Sequence, residues 1–491
     1  MAPRWLRWTP WPRAGRLRAA DVEQETPTPE STPPARDDSV ETSDGSGARR
    51  DDSADARDGA GATRDGQGGH RALFRALDVV AVAVIVVIIA GSVALALRDS
   101  SGGPVPTVFP SSAVTNTPSP VPTSHAGDWP TYGYDYARAR FNPAIKLRPP
   151  FRVKWKYDAG DLLEFPPSIV GDRLYFETGH GLVICADAAT GDVIWRHRIG
   201  GYLASSPTVE NGVVYVSSMG PRPTESSTKG GALVALNAET GKVLWKWAGI
   251  GPSESSPLVW RKRVFIGDRD KKLYAIDLPR MVDGRTVGKP RLAWTFAAKD
   301  RFNASPALLD RRIVIGSYDG TVYCLNYAGK LLWKNHVSRY LLSSDAFYAT
   351  AALAYNTAYI GSLGREVFAF DLSNGGIRWS YTTGGWVYSS AAVWRGIVFV
   401  GSYDQVFYAL DARTGKRRWS FSANSPISGS ATVIDGVVYF STLAGRTLGL
   451  NARNGKQLWK FRDGRYTPVT ATTTTVYLCG KHTIYALEPK R

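Results

Sequence analysis

Phe407 to Leu410 read as a strand, the run breaks at Asp411 to Gly415, and a second strand in which apolar and polar positions alternate begins from Arg418 to Phe421 around Trp419. Two strands on either side of a turn predict a β-hairpin. An Asp side chain can bond the backbone two residues on, and Gly takes the positive φ of a tight turn, which accounts for Asp411 and Gly415. The unit recurs along the chain, with tryptophans at the same place: Trp155, Trp195, Trp245, Trp294, Trp333, Trp379, Trp419 and Trp459. Five repeats keep Asp or Asn eight residues before the tryptophan and Gly four before it, from Asp187 and Gly191 to Asn451 and Gly455. The Trp333 repeat has a turn one residue shorter, through Asn326 and Gly329, and the Trp294 repeat carries an insertion, Leu278 to Lys289.

Eleven residues after the tryptophan stand Pro166, Ser206, Ser256, Ser305, Ser390, Ser430 and Thr470, and Thr350 matches them once a six-residue insertion after Trp333 is allowed. Small residues at this place suit crowded inner strands converging on an axis. A further strand follows each, as in Val213 to Ser217 and Ile397 to Gly401. Each repeat thus offers four strands, A to D outward from the axis, with the tryptophan on D. Repeats of 39 to 50 residues with several short strands predict an all-β, eight-bladed β-propeller over 128–491. The last repeat stops before any tryptophan, while Trp155 precedes the first complete one. Pairing the Trp155 strand with the C-terminal blade closes the ring and leaves no open edge.

The first 127 residues differ. Residues 1–78 hold 12 Lys or Arg and 14 Asp or Glu without an apolar period, and read as a disordered cytoplasmic segment. Its Trp5, Trp8 and Trp11 among arginines read as a solvated basic tail or as a membrane-surface contact. Val79 to Leu97 is an uncharged run of 19 residues, long enough for one transmembrane helix. Arg64, Arg71 and Arg75 before it, with Arg98 after it, favour a cytoplasmic N-terminus. Residues 98–127, rich in Pro, Ser and Thr, read as a linker to the propeller outside the cytoplasm. From Asp128 onward there are 47 Lys or Arg against 28 Asp or Glu. In that compartment the excess suits phospholipid or an acidic envelope polymer, and no nucleic acid is expected.

The pattern from Ala409 to Trp419, with the opening DWPTYGYDYARARFNP from Asp128 to Pro143, resembles the pyrroloquinoline-quinone-type (PQQ-like) eight-bladed propellers. The resemblance implies a family of quinone-dependent dehydrogenases and non-enzymatic members, among them the propeller lipoprotein of the outer-membrane β-barrel assembly machine and sensor domains. The dehydrogenases typically have two adjacent cysteines beside the cofactor and long insertions around the site. Neither is present here, which counts against catalysis. The cysteines are Cys185, Cys324 and Cys479. The first two fill a slot that is Ala or Gly in other blades and read as packed residues. No spacing resembles a zinc site, and no metal is expected.

A calcium-bound PQQ, the alternative to a cofactor-free propeller, would require carboxylate and amide ligands at the channel mouth. The residue two before the hydroxyl column is Glu164, Ala204, Glu254, Asn303, Tyr348, Tyr388, Ser428 or Pro468, so Glu164, Glu254 and Asn303 are candidates to face one another. The insertion after Trp333 puts Asp345 in the same family of loops, with Arg301, Arg339 and His336 as candidate partners. The sequence therefore points to a membrane-anchored, extracytoplasmic, non-enzymatic binding or scaffold module for an envelope protein or polymer. A PQQ-dependent oxidoreductase and an extracytoplasmic ligand sensor are the alternatives. The loop Met219 to Gly230 belongs to the same face as the candidates and reads as one that orders on contact with a partner.

Overall fold

Each repeat folds as four antiparallel strands, and eight such sheets form an all-β, eight-bladed propeller. The computed structural model describes residues 127–490 apart from 222, 225, 283–284, 339–344 and 467–468. The readings of 1–126, including the apolar run Val79 to Leu97, lie outside that range. No helix among the described residues is long and apolar enough to cross a membrane.

Blade six shows how the pattern becomes a layer. Its strands are Ala392–Trp394, Ile397–Gly401, Val406–Asp411 and Arg417–Ser422. The two middle strands are buried over most of their length because both faces meet a neighbouring blade, whereas the outer strand leaves every other residue exposed. Phe407 stacks on Phe440 of blade seven with ring centroids 3.9 Å apart. In the turn, Asp411 Oδ1 accepts the amides of Arg413 and Thr414 at 3.0 and 2.9 Å, and the Gly415 amide donates to the Asp411 carbonyl at 2.8 Å.

Six of the repeat tryptophans, Trp155, Trp195, Trp294, Trp333, Trp379 and Trp419, lean on the hairpin turn of the next blade. Trp379 Nε1 donates to the Ala412 carbonyl at 2.9 Å, and the same bond links Trp195 to Ala238, Trp333 to Leu372 and Trp419 to Ala452. Gly415 has a φ of +71°, and a Cβ there would lie 2.7 Å from the Trp379 ring. Only glycine meets both demands. Trp245 faces the insertion instead, which folds as its own hairpin, Arg280–Val282 with Arg285–Val287. Leu278 and Met281 pack there alongside Trp245. Burying one of these indoles is worth about 3 to 5 kcal/mol against alanine when fully enclosed.

The eighth blade takes its strands from both ends of the described chain. Thr470–Ala471, Val476–Cys479 and Thr483–Pro489 supply the inner three, and Phe151–Asp158 pairs with Thr483–Pro489 as the outer one, with Trp155 opposite Ala486. Trp155 Nε1 then donates to the Ala188 carbonyl of blade one at 3.2 Å.

On the inner strands the hydroxyl column makes a ladder from blade to blade. The amide of Ser206 donates to Ser256 Oγ, that of Ser256 to Ser305 Oγ, and that of Ser305 to Thr350 Oγ1, at 2.9 to 3.0 Å. Thr350 and Ser390 continue it to Ser390 Oγ and Ser430 Oγ at 3.0 and 3.1 Å. Crowding explains the size of these residues, and the ladder explains why they are hydroxyls.

Three residues further along each inner strand, the segment 128–141 runs as a belt around the axis. Its carbonyls at Trp129, Pro130, Tyr136, Ala137, Ala139 and Arg140 accept the amides of Ile169, Val209, Leu308, Leu353, Val393 and Val433, at 2.7 to 3.0 Å. These amides belong to blades one, two, four, five, six and seven. Arg138 Nη2 adds blade three through the Pro257 carbonyl at 3.2 Å. The opening motif therefore closes one end of the channel.

Candidate binding site at the mouth of the channel

At the other end the channel opens into a cavity of about 570 Å³. It narrows past the hydroxyl ladder to about 60 Å³ above Tyr132, whose hydroxyl lies 3.1 Å from Ser430 Oγ and 3.4 Å from Ser390 Oγ. Two loop positions build the wall of the mouth. The loops entering strand A contribute Glu164, Glu254, Asn303, Tyr348 and Tyr388, and the tips between strands B and C contribute Met219, Arg269, Tyr318 and Tyr403. The structure thus places Glu164, Glu254 and Asn303 around one cavity.

Asp345 lies elsewhere. It is buried beside Gly364, where a Cβ would fall 2.0 Å from its Oδ1, and it is not among the residues lining this cavity. The matching turns explain its place: Asp161 accepts the His180 amide at 2.9 Å, and Asp463 accepts the Lys481 amide at 3.2 Å, each beside a hairpin glycine. Of the partners considered for it, Arg301 stacks over the Tyr318 ring at 4.2 Å and His336 lies 3.2 Å from Thr321 Oγ1. Arg339 and Pro468 are outside the described residues.

One side of the mouth is polar. Glu254 forms a buried ion pair with Arg269, whose Nε stands 3.1 Å from Oε1 and whose Nη2 donates to the same oxygen. Asn303 Nδ2 also donates to Oε1 at 3.1 Å, and the Tyr348 hydroxyl donates to Oε2 at 2.8 Å. Arg269 Nη1 reaches the Thr224 carbonyl at 2.9 Å and so ties the Met219 to Gly230 loop to the mouth. That loop, expected to order only on contact, is already anchored at Thr224.

Burial pushes the Glu164 carboxyl up to about 7, with the Glu254 charge adding and Arg269 opposing. Its partial exposure is into the cavity, so the surrounding protein still limits its hydration. Glu177, behind it, is pushed up to about 8 by burial, although the Ser205 amide and hydroxyl hold its Oε1 at 2.7 and 2.9 Å. The other side of the mouth is aromatic: Tyr348 and Tyr388 stand 5.1 Å apart, Tyr388 and Tyr403 4.9 Å, and Trp386 and Tyr403 5.9 Å.

A calcium-bound quinone fits this donor set poorly. Glu254 has both oxygens engaged by protein groups, with an arginine where a cation would stand. Asn303 turns its amide nitrogen to that carboxylate, and Glu164 holds a proton up to about 7. Among the described residues no three His, Cys, Asp or Glu side chains are placed to hold a metal ion. The mouth does offer a polar group to a guest, the partly exposed Glu164 carboxyl, whereas Asn303 Oδ1 is buried without a partner among the described residues.

Arg269, Tyr318 and Tyr403 were not reached from the sequence, although the tip they share recurs as Gly-Asp-Arg, Gly-Ser-Tyr and Gly-Ser-Tyr. Glu177 stands where blades three to six have Gly267, Gly316, Gly361 and Gly401, and that exception was a readable signal.

A closed ring of eight four-stranded blades with an axial funnel defines a propeller of the PQQ-like class. The profile of the family described as outer membrane protein assembly factor BamB matches residues 151–278 and 342–487, and the chain belongs to that family. Among solved structures it is similar to BamB from Moraxella catarrhalis, at 16% identity and a TM-score of 0.59, over 69% of this chain and 100% of that one. It is also similar to a europium-containing methanol dehydrogenase, at 13% identity and a TM-score of 0.60, over 72% of this chain and 90% of that one. These two likenesses show the fold alone. Among curated proteins it is 30% identical over 109 residues to the glycerol dehydrogenase large subunit of Gluconobacter oxydans, which is 19% of this chain and 15% of that relative. It is 28% identical over 99 residues to a polyvinylalcohol dehydrogenase of Sphingopyxis, again 19% and 15%. The matched stretches thus span a small part of those relatives.

Proposed function

We propose that this chain is a non-enzymatic binding or scaffold propeller, anchored by a helix at Val79 to Leu97 and held outside the cytoplasm, whose funnel mouth receives an envelope protein or polymer. The observation that carries this reading is Arg269, which neutralises Glu254 where a quinone-bound cation would need a free carboxylate. Arg269 also fixes the Met219 to Gly230 loop, so the ion pair shapes a recognition rim. Family membership supports a scaffold role, while the dehydrogenase relatives keep quinone chemistry as the rival.

On this reading the Trp155 strand is the clasp of the ring. The chain leaves Gly127 beside Thr473, in the turn between strands A and B of blade eight, on the face opposite the mouth. Affinity capture from membranes tests the proposal. The full chain should retain a defined partner, and Arg269→Ala should lose most of it while keeping a folded propeller by circular dichroism. Dye-linked oxidation of alcohols or sugars by the wild-type chain, on addition of calcium and pyrroloquinoline quinone, would overturn it.

A further inference from the structure

We propose that a cleft on the belt face, between blades one and two, binds one primary alkylammonium group, with its stem against apolar walls and its head on Glu210. The argument starts from a break in the repeat. Strand A ends on Val170, Trp260, Leu309, Ala354, Trp394 and Ile434 in blades one and three to seven, all apolar. In blade two the same strand, Thr208–Glu210, ends on a carboxylate. A charge in an apolar slot is costly unless a partner meets it.

Glu210 is 9% exposed, and among the described residues no hydrogen bond or ion pair reaches its carboxylate. Its oxygens open instead onto a cavity of about 240 Å³. The groups around it leave it unmet. The Tyr136 hydroxyl of the belt is buried without a partner among the described residues. Burial pushes this phenol and that of Tyr215 up, and the Glu210 charge adds to both. Arg173, from blade one, spends Nη1 on the Ala238 and Glu239 carbonyls at 3.3 and 3.2 Å, and its Nε lies 3.9 Å from Asp172 Oδ1. Burial pushes the Glu210 carboxyl up to about 7.

The walls select the guest. Pro130, Val170, Val209 and Ala238 give the cleft an apolar surface for a stem. Asp172, Glu210 and Glu239 give it three carboxylates against the one cation of Arg173, on a propeller with 47 Lys or Arg and 28 Asp or Glu from Asp128 onward. A local negative excess on a basic body draws a cation. A metal ion is a poor fit, because among the described residues no three His, Cys, Asp or Glu side chains are placed to hold one. A guanidinium would bring five donors in a plane, yet the Ala238 carbonyl beside Glu210 already accepts from Trp195, Tyr175 and Arg173. An ammonium brings three donors at the tip of an alkyl stem, which one carboxylate beside apolar walls can hold.

The experiment uses the full chain in detergent, with n-butylammonium as the probe, titrated by calorimetry. One saturable site is expected. The cation binds the ionised carboxylate, so affinity should rise roughly tenfold between about pH 6 and about pH 8, where the amine keeps its own proton. Glu210→Gln, which keeps the shape of the cleft, should bind at least about tenfold more weakly and lose the pH slope. A capped Gly-Lys-Gly peptide separates the two sources of such a group: binding as tight as that of n-butylammonium assigns the cleft to a protein lysine, and exclusion of the peptide assigns it to a free amine. A wild-type crystal soaked in n-butylammonium should show the amine against Glu210, a measurement that stands even where the variant does not fold. No saturable binding, equal binding by Glu210→Gln, tighter binding of n-butylguanidinium, or a soaked cleft that holds only water would overturn the proposal.

Discussion

The two ends of the channel bury charge in different ways. At the mouth, Glu254 and Arg269 satisfy one another, yet the carboxyl of Glu164 still faces a cavity of about 570 Å³. At the belt, Arg138 has spent its donors on carbonyls and a hydroxyl of its own chain, next to a Tyr132 phenol that burial pushes up but that the Arg140 charge and the Ser390 and Ser430 bonds bring below its ordinary value. Unspent polar valence facing open space is what recognition needs. Valence spent within the chain holds the fold.

The largest expected effect sharpens this contrast at the belt. Arg138→Met should lower stability by about 3 to 5 kcal/mol, because four buried bonds are lost together, although Thr208 still reaches Thr131 Oγ1 and the Pro257 carbonyl. Partner capture at the mouth should be little changed, and urea unfolding alongside capture of the same sample would show both. An unchanged unfolding midpoint would break the comparison.

A smaller effect concerns the mouth and its pH dependence. Burial pushes Glu164 up to about 7 and Glu177 up to about 8 in the folded state, above the ordinary carboxyl value of 4.5, so through these two groups the folded chain binds more protons than the unfolded one between those limits. The contribution of these two groups to stability is therefore fullest below about 4.5, falls as pH rises towards 8 and levels off above it. Glu177→Gln should flatten much of that slope and add about 1 to 3 kcal/mol at alkaline pH. Thermal melts of both proteins between pH 5 and pH 9, roughly the range where these groups change charge, would decide it; identical slopes would remove Glu177 from the account. The smallest effect is at the ladder between the two ends. Ser390→Ala leaves the Thr350 amide without its acceptor and should cost about 1 kcal/mol, read as a shift in unfolding midpoint.

How much of this was legible in the sequence follows from what repeats. Alternation, turn residues and the tryptophan column occur many times over, so strand number, blade order and the Trp155 strand could be read directly. The column two before the hydroxyls could be read as facing the axis by the same logic, which brought out Glu164, Glu254 and Asn303. Features that occur once were opaque. Arg269 sits on a tip whose other members are Tyr, Leu or Met, and only the fold shows that it crosses to Glu254. The belt has no repeat to compare with, and its role rests on carbonyl bonds that do not depend on side-chain type. Asp345 was legible as a loop carboxylate but not as one turned towards Gly364, because both orientations share one spacing.

The belt also sets the order in which the molecule can be completed. Residues 128–141 are synthesised before every blade, yet their carbonyls bond to amides spread from Ile169 to Val433, and Phe151–Asp158 finds its partner only in Thr483–Pro489. Contacts so distant in sequence are slow to form and are rewarded late. A chain cut short by its last blade would leave the Phe151–Asp158 edge unpaired, and one cut short by two would also leave the Arg140 carbonyl unmet, the state in which quality-control proteases find their substrates. The belt and the Phe151–Asp158 strand together thereby act as a check on completeness: the ring becomes fully stable only when every blade is present.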